Sequence, residues 1–518
     1  MTFLMRQSWT DAARWHESGQ WRQDTLPGLL VDAAAKNPDG IAVTDGDRRI
    51  SWRRLRAAAG RVADRLAGLD VDRGDVVVVR LPDSAAFLAV SYAVPSVQAV
   101  AAPLTRSTGD AELVAVVERT GARAVVSAPG LRLPPGVHHL AVLPDDETFW
   151  TGPDAALPPA GYFPDPDAVC EVMFTSGTTG RPKGVMNTAN SKLTGLRGLL
   201  GEFDFTAEDV WGLVAPLSHN AGWLYTALPA LATGARSVVV PRGDAAAMLD
   251  VLSRERVTAT FLVPTHLVDL IATRRTDPDR WPLALRYVLT GAAPAAEASF
   301  RAVAEEWGAT PVSLYGMTEC QANLFTRATD PVEVIARTVG RPCPGSEVAL
   351  RDPVTGRLVT ADGQVGEIVT RGPTTFAGYY DDQRATAESF TKDGWFRSGD
   401  LGVTDAGAYR VVGRLKEVIL RGGATVSPPD VEAALAGVPG IGEVAVIGLP
   451  DDRLGERVVA CVLGGTAPGA EEVRDHLAAA GLGRHLAPDE VRAVADFPRT
   501  DLGKVQRAKL RQRLLAED

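Results

Sequence analysis

Short apolar runs rich in β-branched residues alternate along the chain with longer stretches rich in alanine and leucine. The run VVVVR at 76–80 follows the helix-like stretch RRLRAAAGRVADRLAGL, and the same succession returns at RSVVVP, TATFLVP and RYVLT. Continuous apolar strands separated by helices are typical of parallel sheets that are covered on both faces. The pattern therefore predicts an α/β fold, and it contains no internal repeat.

The pattern changes near residue 410. Short strands, a glycine-rich loop and a helix that begins at Ser427 follow one another, and two apolar runs, EVAVIGL and ERVVACVL, precede a last helix and a basic tail. Strands and helices that are grouped in this way are typical of a small α+β domain. The sequence thus predicts a large N-terminal region at 1–414 and a small C-terminal domain at 415–518.

Composition and charge exclude several classes of partner. The 518 residues carry a net charge of -10, which provides no basic surface for a nucleic acid. The four cysteines form no CxxC pair, which argues against a zinc site or a disulfide framework and favours a reducing compartment. The N-terminus lacks the pattern of a secretory signal, and the most apolar stretch, AVSYAVPSVQAVAAPL, is too short for a membrane span. These features predict a cytoplasmic protein with no nucleic-acid partner and no membrane span.

The stretch TSGTTGRPKG at 175–184 has the composition of a phosphate-binding loop. Backbone N–H groups of glycine-rich loops and nearby hydroxyls bind phosphate oxygens, and Lys183 adds a positive charge. The loop follows a predicted strand at 171–174 and precedes a predicted helix at 191–200. Its spacing differs from GxxxxGK[ST], and the looser pattern GIGEVA lies between a helix and a strand, the reverse of a dinucleotide site. The stretch is predicted to bind a polyanion, and an exposed surface loop is the alternative.

Four further motifs follow in order: YGMTE at 315–319, FRSGDLG at 396–402, GRLKEVILRGG at 413–423 and FPRTDLGKVQR at 497–507. With the loop at 175–184, they resemble the adenylate-forming superfamily of acyl- and aryl-CoA synthetases, peptide-synthetase adenylation domains and luciferases. The resemblance covers nearly the whole chain. It implies two stacked αβ subdomains and a small barrel in the N-terminal region, a small mobile C-terminal domain, and the activation of a carboxylic acid with ATP and Mg²⁺.

The resemblance also assigns roles at the nucleotide. Residues for ATP or AMP are Thr175, Ser176, Gly177, Thr178, Thr179, Gly180 and Lys183 at the phosphates, Gly291, Ala292 and Ala293 beside the adenine, Tyr315, Gly316, Met317 and Thr318 at the adenine and α-phosphate, and Asp400 and Arg414 at the ribose. Glu319 is assigned to magnesium, because a carboxylate is a hard oxygen ligand. Lys504 is assigned as the catalytic residue that bridges the carboxylate and the α-phosphate as negative charge develops.

The residues alone allow other interpretations of these motifs. YGMTE could be an ordinary strand end and turn. Asp400 and Arg414 could form a salt bridge at a domain edge, and Lys504 could belong to a basic helix.

The resemblance places the acyl-substrate pocket between the phosphate loop and YGMTE and around that motif. Its residues are His219, Asn220, Ala221, Gly222, Leu314, Gln321 and Ala322. Relatives that activate aryl acids carry a His-Asn pair near this position, and their Asn bonds a ring hydroxyl, so an aromatic or medium-size acid is predicted. An Asn satisfied by loop backbone is the alternative. No aspartate stands near position 219, which disfavours an α-amino acid.

The second acceptor is predicted from the C-terminal motifs. Lys416 matches the hinge, and Gly422 and Gly423 match positions that let a pantetheine arm pass. After these glycines, Ala424-Thr425 departs from the sequence that CoA ligases usually have. The arginine before them, Arg421, resembles the residue found there in peptide-synthetase domains. No carrier domain follows Lys504, so the acceptor is expected to be a separate molecule, and CoA is the predicted one. A separate carrier protein, another nucleophile such as nitrite on an aryl amine, and a degenerate nucleotide-binding protein without activity are the alternatives.

Overall fold

The computed structural model describes residues 9–175, 182–415, 417–421, 424–435, 438, 440–464, 467–479, 487–500 and 503–517. The chain forms two compact units. Unit 1 comprises Met1–Glu347 and Thr370–Phe396, and unit 2 comprises Val348–Val369 and Arg397–Asp518. The predicted domain boundary near residue 415 stays a prediction, because the hinge residue Lys416 lies outside the described residues.

The helices, in chain order, are α1 (Trp9–Glu17), α2 (Leu26–Lys36), α3 (Trp52–Ala67), α4 (Ala85–Ser96), α5 (Asp110–Thr120), α6 (Glu147–Trp150), α7 (Ala189–Leu200), α8 (Leu228–Thr233), α9 (Ala245–Arg254), α10 (Pro264–Thr276), α11 (Glu297–Glu305), α12 (Val332–Arg337), α13 (Gln383–Glu388), α14 (Pro428–Leu435), α15 (Ala470–Ala479) and α16 (Arg507–Glu517). A π-helical turn at Trp223–Ala227 directly precedes α8.

The strands are β1 (Ile41–Asp45), β2 (Arg48–Ser51), β3 (Val76–Arg80), β4 (Val100–Pro103), β5 (Ala124–Ser127), β6 (His138–Ala141), β7 (Val169–Thr175), β8 (Lys183–Thr188), β9 (Val210–Leu213), β10 (Arg236–Val239), β11 (Ala259–Leu262), β12 (Tyr287–Thr290), β13 (Thr310–Met317), β14 (Gln321–Phe325), β15 (Arg341–Pro342), β16 (Glu347–Arg351), β17 (Leu358–Val359), β18 (Gly366–Arg371), β19 (Gly378–Tyr379), β20 (Phe396–Asp405), β21 (Ala408–Arg414), β22 (Ile419–Arg421), β23 (Ala424–Val426), β24 (Val444–Asp451), β25 (Gly455–Leu463) and β26 (Glu490–Val494).

Unit 1 contains two large mixed sheets. One has nine strands in the order β15-β14-β13-β12-β11-β9-β10-β1-β2, and the other has seven in the order β19-β8-β7-β4-β3-β5-β6. The strands at the centre of each sheet pair in parallel, and the apolar runs that predicted them are buried at β3, β10, β11 and β12. Because such runs lose their contact with water on both faces, the hydrophobic effect favours this arrangement. The predicted α/β fold is confirmed.

Unit 2 contains two five-stranded sheets. The first has the order β17-β16-β18-β20-β21, and the second has β23-β22-β25-β24, with β26 parallel to β25. The second sheet has a buried apolar cluster on each face: Val431 and Leu435 of α14 belong to one, and Leu510 and Leu514 of α16 belong to the other. The helix that follows the Lys504 motif is therefore fixed by core packing.

Candidate functional site

The described ends of the stretch predicted as a loop at 175–184 belong to two antiparallel strands, Thr175 to β7 and Lys183 and Gly184 to β8. β7 pairs with β8, and Thr175 lies opposite Lys183 at the end of this ladder. α7 begins at once after β8, and its first turn is capped by Thr188, whose hydroxyl accepts from the Ser191 backbone N–H at 3.0 Å. The predicted phosphate contacts Ser176, Gly177, Thr178, Thr179 and Gly180 lie outside the described residues.

Lys183 and Glu319 both contact the side chain of Tyr379. Lys183 Nζ lies 4.4 Å from the centroid of the Tyr379 ring, which is a cation–π contact. The Tyr379 hydroxyl donates a hydrogen bond to Glu319 Oε1 at 2.9 Å. Burial, followed by the negative charge of Glu319, raises the pKa of Tyr379 far above its ordinary value, so the hydroxyl keeps its proton. The residues predicted for phosphate and for magnesium are thus brought together by a third side chain.

Tyr379 was not among the residues predicted from the sequence. It lies in the short segment GYY, and its partner Glu319 is 60 residues earlier in the chain. A strand as short as β19 gives no periodicity that could have indicated which way the side chain points.

The position of Glu319 fits the chemistry of magnesium. Glu319 is a buried carboxylate, and among the described residues no three His, Cys, Asp or Glu side chains cluster around a possible metal position. Mg²⁺ is commonly held by one or two carboxylates together with substrate phosphates and water, so a single carboxylate is sufficient. When bound, the ion would supply positive charge to the phosphates. Glu319 would hold it, and Tyr379 would orient that carboxylate.

Replacement of Tyr379 by phenylalanine is expected to weaken this carboxylate site. The change keeps the ring beside Lys183 and removes the hydrogen bond to Glu319, and such a bond to a charged group contributes about 1.5–3 kcal/mol. We expect the Mg²⁺ concentration for half-maximal pyrophosphate release to rise roughly tenfold. Tyr380→Phe is the control, since that hydroxyl donates to Thr120 O at 2.8 Å, and an equal shift in both variants would contradict this role.

Two glycines of the predicted nucleotide motifs occupy close backbone contacts. A Cβ atom on Gly316 would lie 2.1 Å from Gln321 O, and one on Gly291 would lie 2.4 Å from Leu314 O. Distances under 3.0 Å leave no room for a side chain, so the fold itself requires both glycines. After Gly291, Ala292 adopts a φ of 70° and is exposed.

The other residues predicted around the adenine and α-phosphate are accessible. Those that are half-buried are Ala293, Tyr315, Met317 and Thr318. Their roles stay predictions.

The predicted acyl loop forms one buried wall. His219 is half-buried, whereas Asn220, Ala221 and Gly222 are buried and lead into the π-helical turn. π-helical turns are frequent at functional sites. The Tyr225 ring in this turn stacks on Phe261, with centroids 5.5 Å apart, and its hydroxyl donates to Gln321 O at 3.2 Å. Two further predicted residues, Leu314 and Ala322, are buried in the strands β13 and β14.

The side chain of Asp83 contacts the backbone just before the predicted acyl residues at 219–222. Its Oδ1 accepts from the Leu217 backbone N–H at 2.7 Å, and its other oxygen pairs with Arg242. Burial raises the pKa of Asp83, and the charges of Arg242 and His219 oppose that rise. Sequence reasoning did not identify Asp83, because its contact with the loop spans 134 residues.

A buried chain of polar side chains connects the helix α7 with the acyl loop. Lys192 is fully buried, and its Nζ lies 2.7 Å from Glu171 Oε1 and 2.8 Å from Asn220 Oδ1. Asn220 Nδ2 in turn donates to Gln321 Oε1 at 3.1 Å. Burial raises the pKa of Glu171, and the charge of Lys192 opposes that rise. Both ends of the Asn220 amide therefore have side-chain partners.

The chain of hydrogen bonds ends in the YGMTE motif. Gln321 Nε2 donates to Asn187 Oδ1 at 2.7 Å and to Thr318 O at 3.2 Å. The orientation of each amide is fixed by its neighbours, because Lys192 can only donate. That Asn220 bonds a substrate ring hydroxyl stays a prediction; the partners described above are side chains rather than loop backbone.

Asp400 and Arg414 lie opposite each other on neighbouring strands of unit 2. They are paired in the register of β20 and β21, and Arg414 Nε lies 2.8 Å from the buried Asp400 Oδ1. The ion pair leaves the guanidinium partly exposed. The arrangement would present a carboxylate and a cation side by side, as the predicted ribose contacts require.

Lys504 belongs to the same charged group. Burial, followed by the positive charge of Arg414, lowers the pKa of Lys504 to about 8, whereas Asp400 and Glu417 act in the opposite direction. Three residues from separate motifs, Asp400, Arg414 and Lys504, are therefore electrostatic neighbours within unit 2.

A short turn holds Lys504 in place. The Thr500 N–H donates to Lys504 O at 2.8 Å, and the Lys504 N–H donates to Thr500 Oγ1 at 3.2 Å. Gly503 has a φ of 75°, which favours glycine in this turn. Three residues further on, Arg507 pairs with Glu432 at 2.7 Å and with Glu417 at 3.2 Å. These pairs fix the start of α16.

The lowered pKa of Lys504 predicts how adenylation depends on pH. If the ammonium form is required, the kcat/KM for pyrophosphate release should be constant below about pH 8 and fall about tenfold per unit above it. Lys504→Arg should move this fall to higher pH, because a guanidinium stays charged. The assay omits CoA, whose thiol ionises in a similar range. A profile that is the same in Lys504→Arg would contradict the assignment.

Three predicted residues of the acceptor site, Lys416, Gly422 and Gly423, lie outside the described residues. Arg421, the residue at which the sequence resembles peptide-synthetase domains, forms an ion pair with Asp489. The hinge and the thiol path stay predictions.

The chain matches two protein-family models. Residues 30–380 match the model described as AMP-binding enzyme, and residues 430–504 match the model described as AMP-binding enzyme C-terminal domain. The chain belongs to the AMP-binding enzyme family. The predicted membership in the adenylate-forming superfamily is thereby confirmed, and the protein is an AMP-forming acid–thiol ligase of the acyl-CoA synthetase type.

Two curated relatives of this AMP-binding enzyme cover nearly its whole length. The sulfoacetate–CoA ligase of Cupriavidus necator is 32% identical, over 94% of this chain and 97% of the relative. The salicyl-AMP ligase / salicyl-S-ArCP synthetase of Mycobacterium tuberculosis is 32% identical, over 97% of this chain and 93% of the relative.

The fold of this chain is similar to that of a solved structure. The crystal structure of ATP-bound MatB from Rhodopseudomonas palustris matches with a TM-score of 0.85 and 27% identity, over 95% of this chain and 99% of that one. In the described part of the chain, no helix has the length and apolar character that a bilayer crossing requires.

Proposed function

We propose that this enzyme activates an aromatic or medium-size carboxylic acid as its acyl-adenylate and transfers the acyl group to CoA. One observation supports this choice of acid. Two residues predicted for the acyl pocket, Asn220 and Gln321, are bonded to each other through their amides, and the Tyr225 ring beside them stacks on Phe261 and donates its hydroxyl proton to Gln321 O. Such a combination of apolar surface and a few placed polar groups is typical of small-molecule sites.

In the first half-reaction, a carboxylate oxygen attacks the α-phosphorus of ATP and pyrophosphate leaves. Lys504 would lie between the two anions and offset the negative charge that grows on the α-phosphate. Asp400 and Arg414 would hold the ribose, which positions the α-phosphorus for attack. In the second half-reaction, the thiol attacks the acyl carbon and AMP leaves.

A separate carrier protein is the second candidate acceptor. The relative from Mycobacterium tuberculosis is named both as a salicyl-AMP ligase and as a salicyl-S-ArCP synthetase. That name supports an aromatic acid and a carrier-bound thiol in that protein. The same two half-reactions would serve either acceptor in this enzyme.

Pyrophosphate release over a panel of acids tests the proposed function. Benzoic and cinnamic acids with hydroxyl or amino substituents, straight-chain acids, sulfoacetate and α-amino acids are each assayed with and without CoA. We expect substituted aryl acids to have the highest kcat/KM, and CoA to accelerate AMP release. Preference for sulfoacetate or short aliphatic acids would contradict the proposed acid. Adenylation that is unaffected by CoA would contradict the proposed acceptor and favour a carrier protein.

A further inference from the structure

Glu171 and Lys192 form a charged pair within the interior of unit 1. The Lys192 side chain is 0% exposed and that of Glu171 is 6% exposed. Burying two charges carries a large desolvation cost, which mutual attraction offsets only when the pair is well placed and further hydrogen bonds are made. Two apolar residues at these positions would fill the same space at no such cost. The pair therefore calls for an explanation beyond the stability of the fold.

Lys192 has two side-chain partners, whereas the Glu171 carboxylate has one. Lys192 contacts the Glu171 carboxylate and also donates to Asn220. Among the described residues, Lys192 is the only side chain that contacts the Glu171 carboxylate as a hydrogen-bond donor, with its Nζ 2.7 Å from Oε1. Buried carboxylates normally accept several hydrogen bonds. This one has the capacity for a further donor.

A cavity of about 10 Å³ lies beside this carboxylate. Glu171 lines it together with Trp223, and the indole N–H of Trp223 is buried and has no acceptor among the described residues. Most of the other lining side chains are apolar, for example Phe87 and Leu217. The space suits one water-sized group. A carboxylate with spare acceptor capacity and an indole N–H without an acceptor thus border a space for a single small polar group.

The cavity is lined by residues on both sides of the predicted acyl residues at 219–222. Leu217 and Trp223 belong to the same loop as Asn220, and Asn220 is bonded to the lysine that pairs with Glu171. Two lining residues of the cavity therefore lie within three residues of Asn220, which is predicted to contact the acyl substrate.

We propose that this cavity is the distal end of the acid-binding pocket and that Glu171 accepts a hydrogen bond there from a hydroxyl or amino group of the acyl substrate. Trp223 donates to the same group, and Lys192 holds the Glu171 carboxylate in place. The inference rests on the proposed function and narrows its substrate class to acids that carry a small hydrogen-bond donor away from the carboxylate.

Size and charge support this substrate class. A hydroxyl or amino group is about as large as water, so it fits the cavity, whereas a second carboxylate or a sulfonate is larger and would oppose the negative charge of Glu171. A methyl group would fit in size but would leave both polar groups unsatisfied. Sites built to bond a substrate hydroxyl reject the analogue that lacks it by large factors.

The test compares matched acids in the wild-type enzyme and in Glu171→Gln. Each pair has a hydroxyl or amino group in one member and a methyl group or hydrogen in the other, on benzoate, cinnamate and hexanoate frames. The readout is the ratio of kcat/KM values for pyrophosphate release within a pair. We expect the wild type to prefer the donor-bearing acid by about 100-fold or more on its best frame, and Glu171→Gln to reduce this preference at least about tenfold.

Two further variants make the result specific. Glu255→Gln is the matched control, because Glu255 is a buried glutamate in an ion pair with Arg236 and lies outside the site. It should leave the ratio unchanged. Trp223→Phe removes the indole N–H together with part of the ring that lines the cavity, and it should lower the ratio even if Glu171→Gln fails to fold.

The outcomes separate this inference from the proposed function. A wild-type ratio near one on the best frame, or equal ratios in Glu171→Gln and Glu255→Gln, would overturn the inference and mean that the cavity holds only water. A strong preference for 6-hydroxyhexanoate or 6-aminohexanoate, with no turnover of aryl acids, would exclude the aromatic acid, leave the medium-size acid of the proposed function, and support the inference. No adenylation of any acid in the panel would overturn the proposed function itself.

Discussion

Replacement of Lys504 by alanine is expected to slow acyl-adenylate formation by about 10²–10³-fold. The ammonium is the positive charge that would face both the carboxylate and the α-phosphate, and the charges of Asp400 and Arg414 that surround it belong to the same unit. Because this charge acts only as negative charge develops in the transition state, we expect kcat to fall more than the KM for ATP rises.

Stopped-flow measurement of the first turnover, without CoA, gives the rate of this step. Lys509→Ala is the control, since Lys509 is exposed on α16 only five residues further along the chain. It should leave the rate unchanged, and the circular dichroism spectra of both variants should match the wild type. A Lys504→Ala enzyme that forms the adenylate at a near-normal rate would contradict the assigned role.

Replacement of Lys192 by methionine is expected to destabilise the protein by about 3–5 kcal/mol, because it leaves the buried Glu171 charge without its partner. The double variant Glu171→Met with Lys192→Met removes both charges and should recover most of this loss. Urea unfolding, followed by tryptophan fluorescence, measures the difference. Arg53→Met is the control, because its ion pair with Asp39 is exposed, and it should have little effect.

The loss in Lys192→Met should depend on pH. Burial already raises the pKa of Glu171, and removal of Lys192 removes the charge that opposes this rise. The folded state then binds a proton more tightly than the unfolded state, so its stability decreases as the pH rises through the folded-state pKa. We expect a smaller difference from the wild type near about pH 5.5 than near about pH 8. A pH-independent difference, with no recovery in the double variant, would contradict a buried charged pair.

Much of the fold could be predicted because its signal is local. The strands β3, β10, β11 and β12 each coincide with an apolar run, and the helix after Ser427 begins where its proline pair predicts. β8 was not predicted: its first two residues belong to the predicted loop at 175–184, and its other four lie between that loop and the helix predicted at 191–200. Its pairing with β7 is a tertiary feature that the apolar pattern of KGVMNT does not distinguish from a helix start.

The nucleotide motifs could be predicted because each is contiguous in the sequence, whereas the side chains that support them could not. Tyr379 reaches Glu319 across 60 residues, and Asp83 reaches Leu217 across 134. Lys192 is the clearest example of a residue whose position could not be predicted. A lysine in a helix is normally expected to be solvent-exposed, and only the contact with Glu171 of β7 shows that this one is buried. The spacing of residues along the sequence does not indicate long-range contacts of this kind.

In the proposed first half-reaction, the carboxylate attacks the α-phosphorus of ATP. The most direct measurement labels the carboxylate of the best acid with heavy oxygen and determines by mass spectrometry where the label goes after turnover with ATP and CoA. One labelled oxygen in AMP, with an equal amount of CoA thioester, is the predicted result. Formation of ADP, or of AMP without label, would contradict the account.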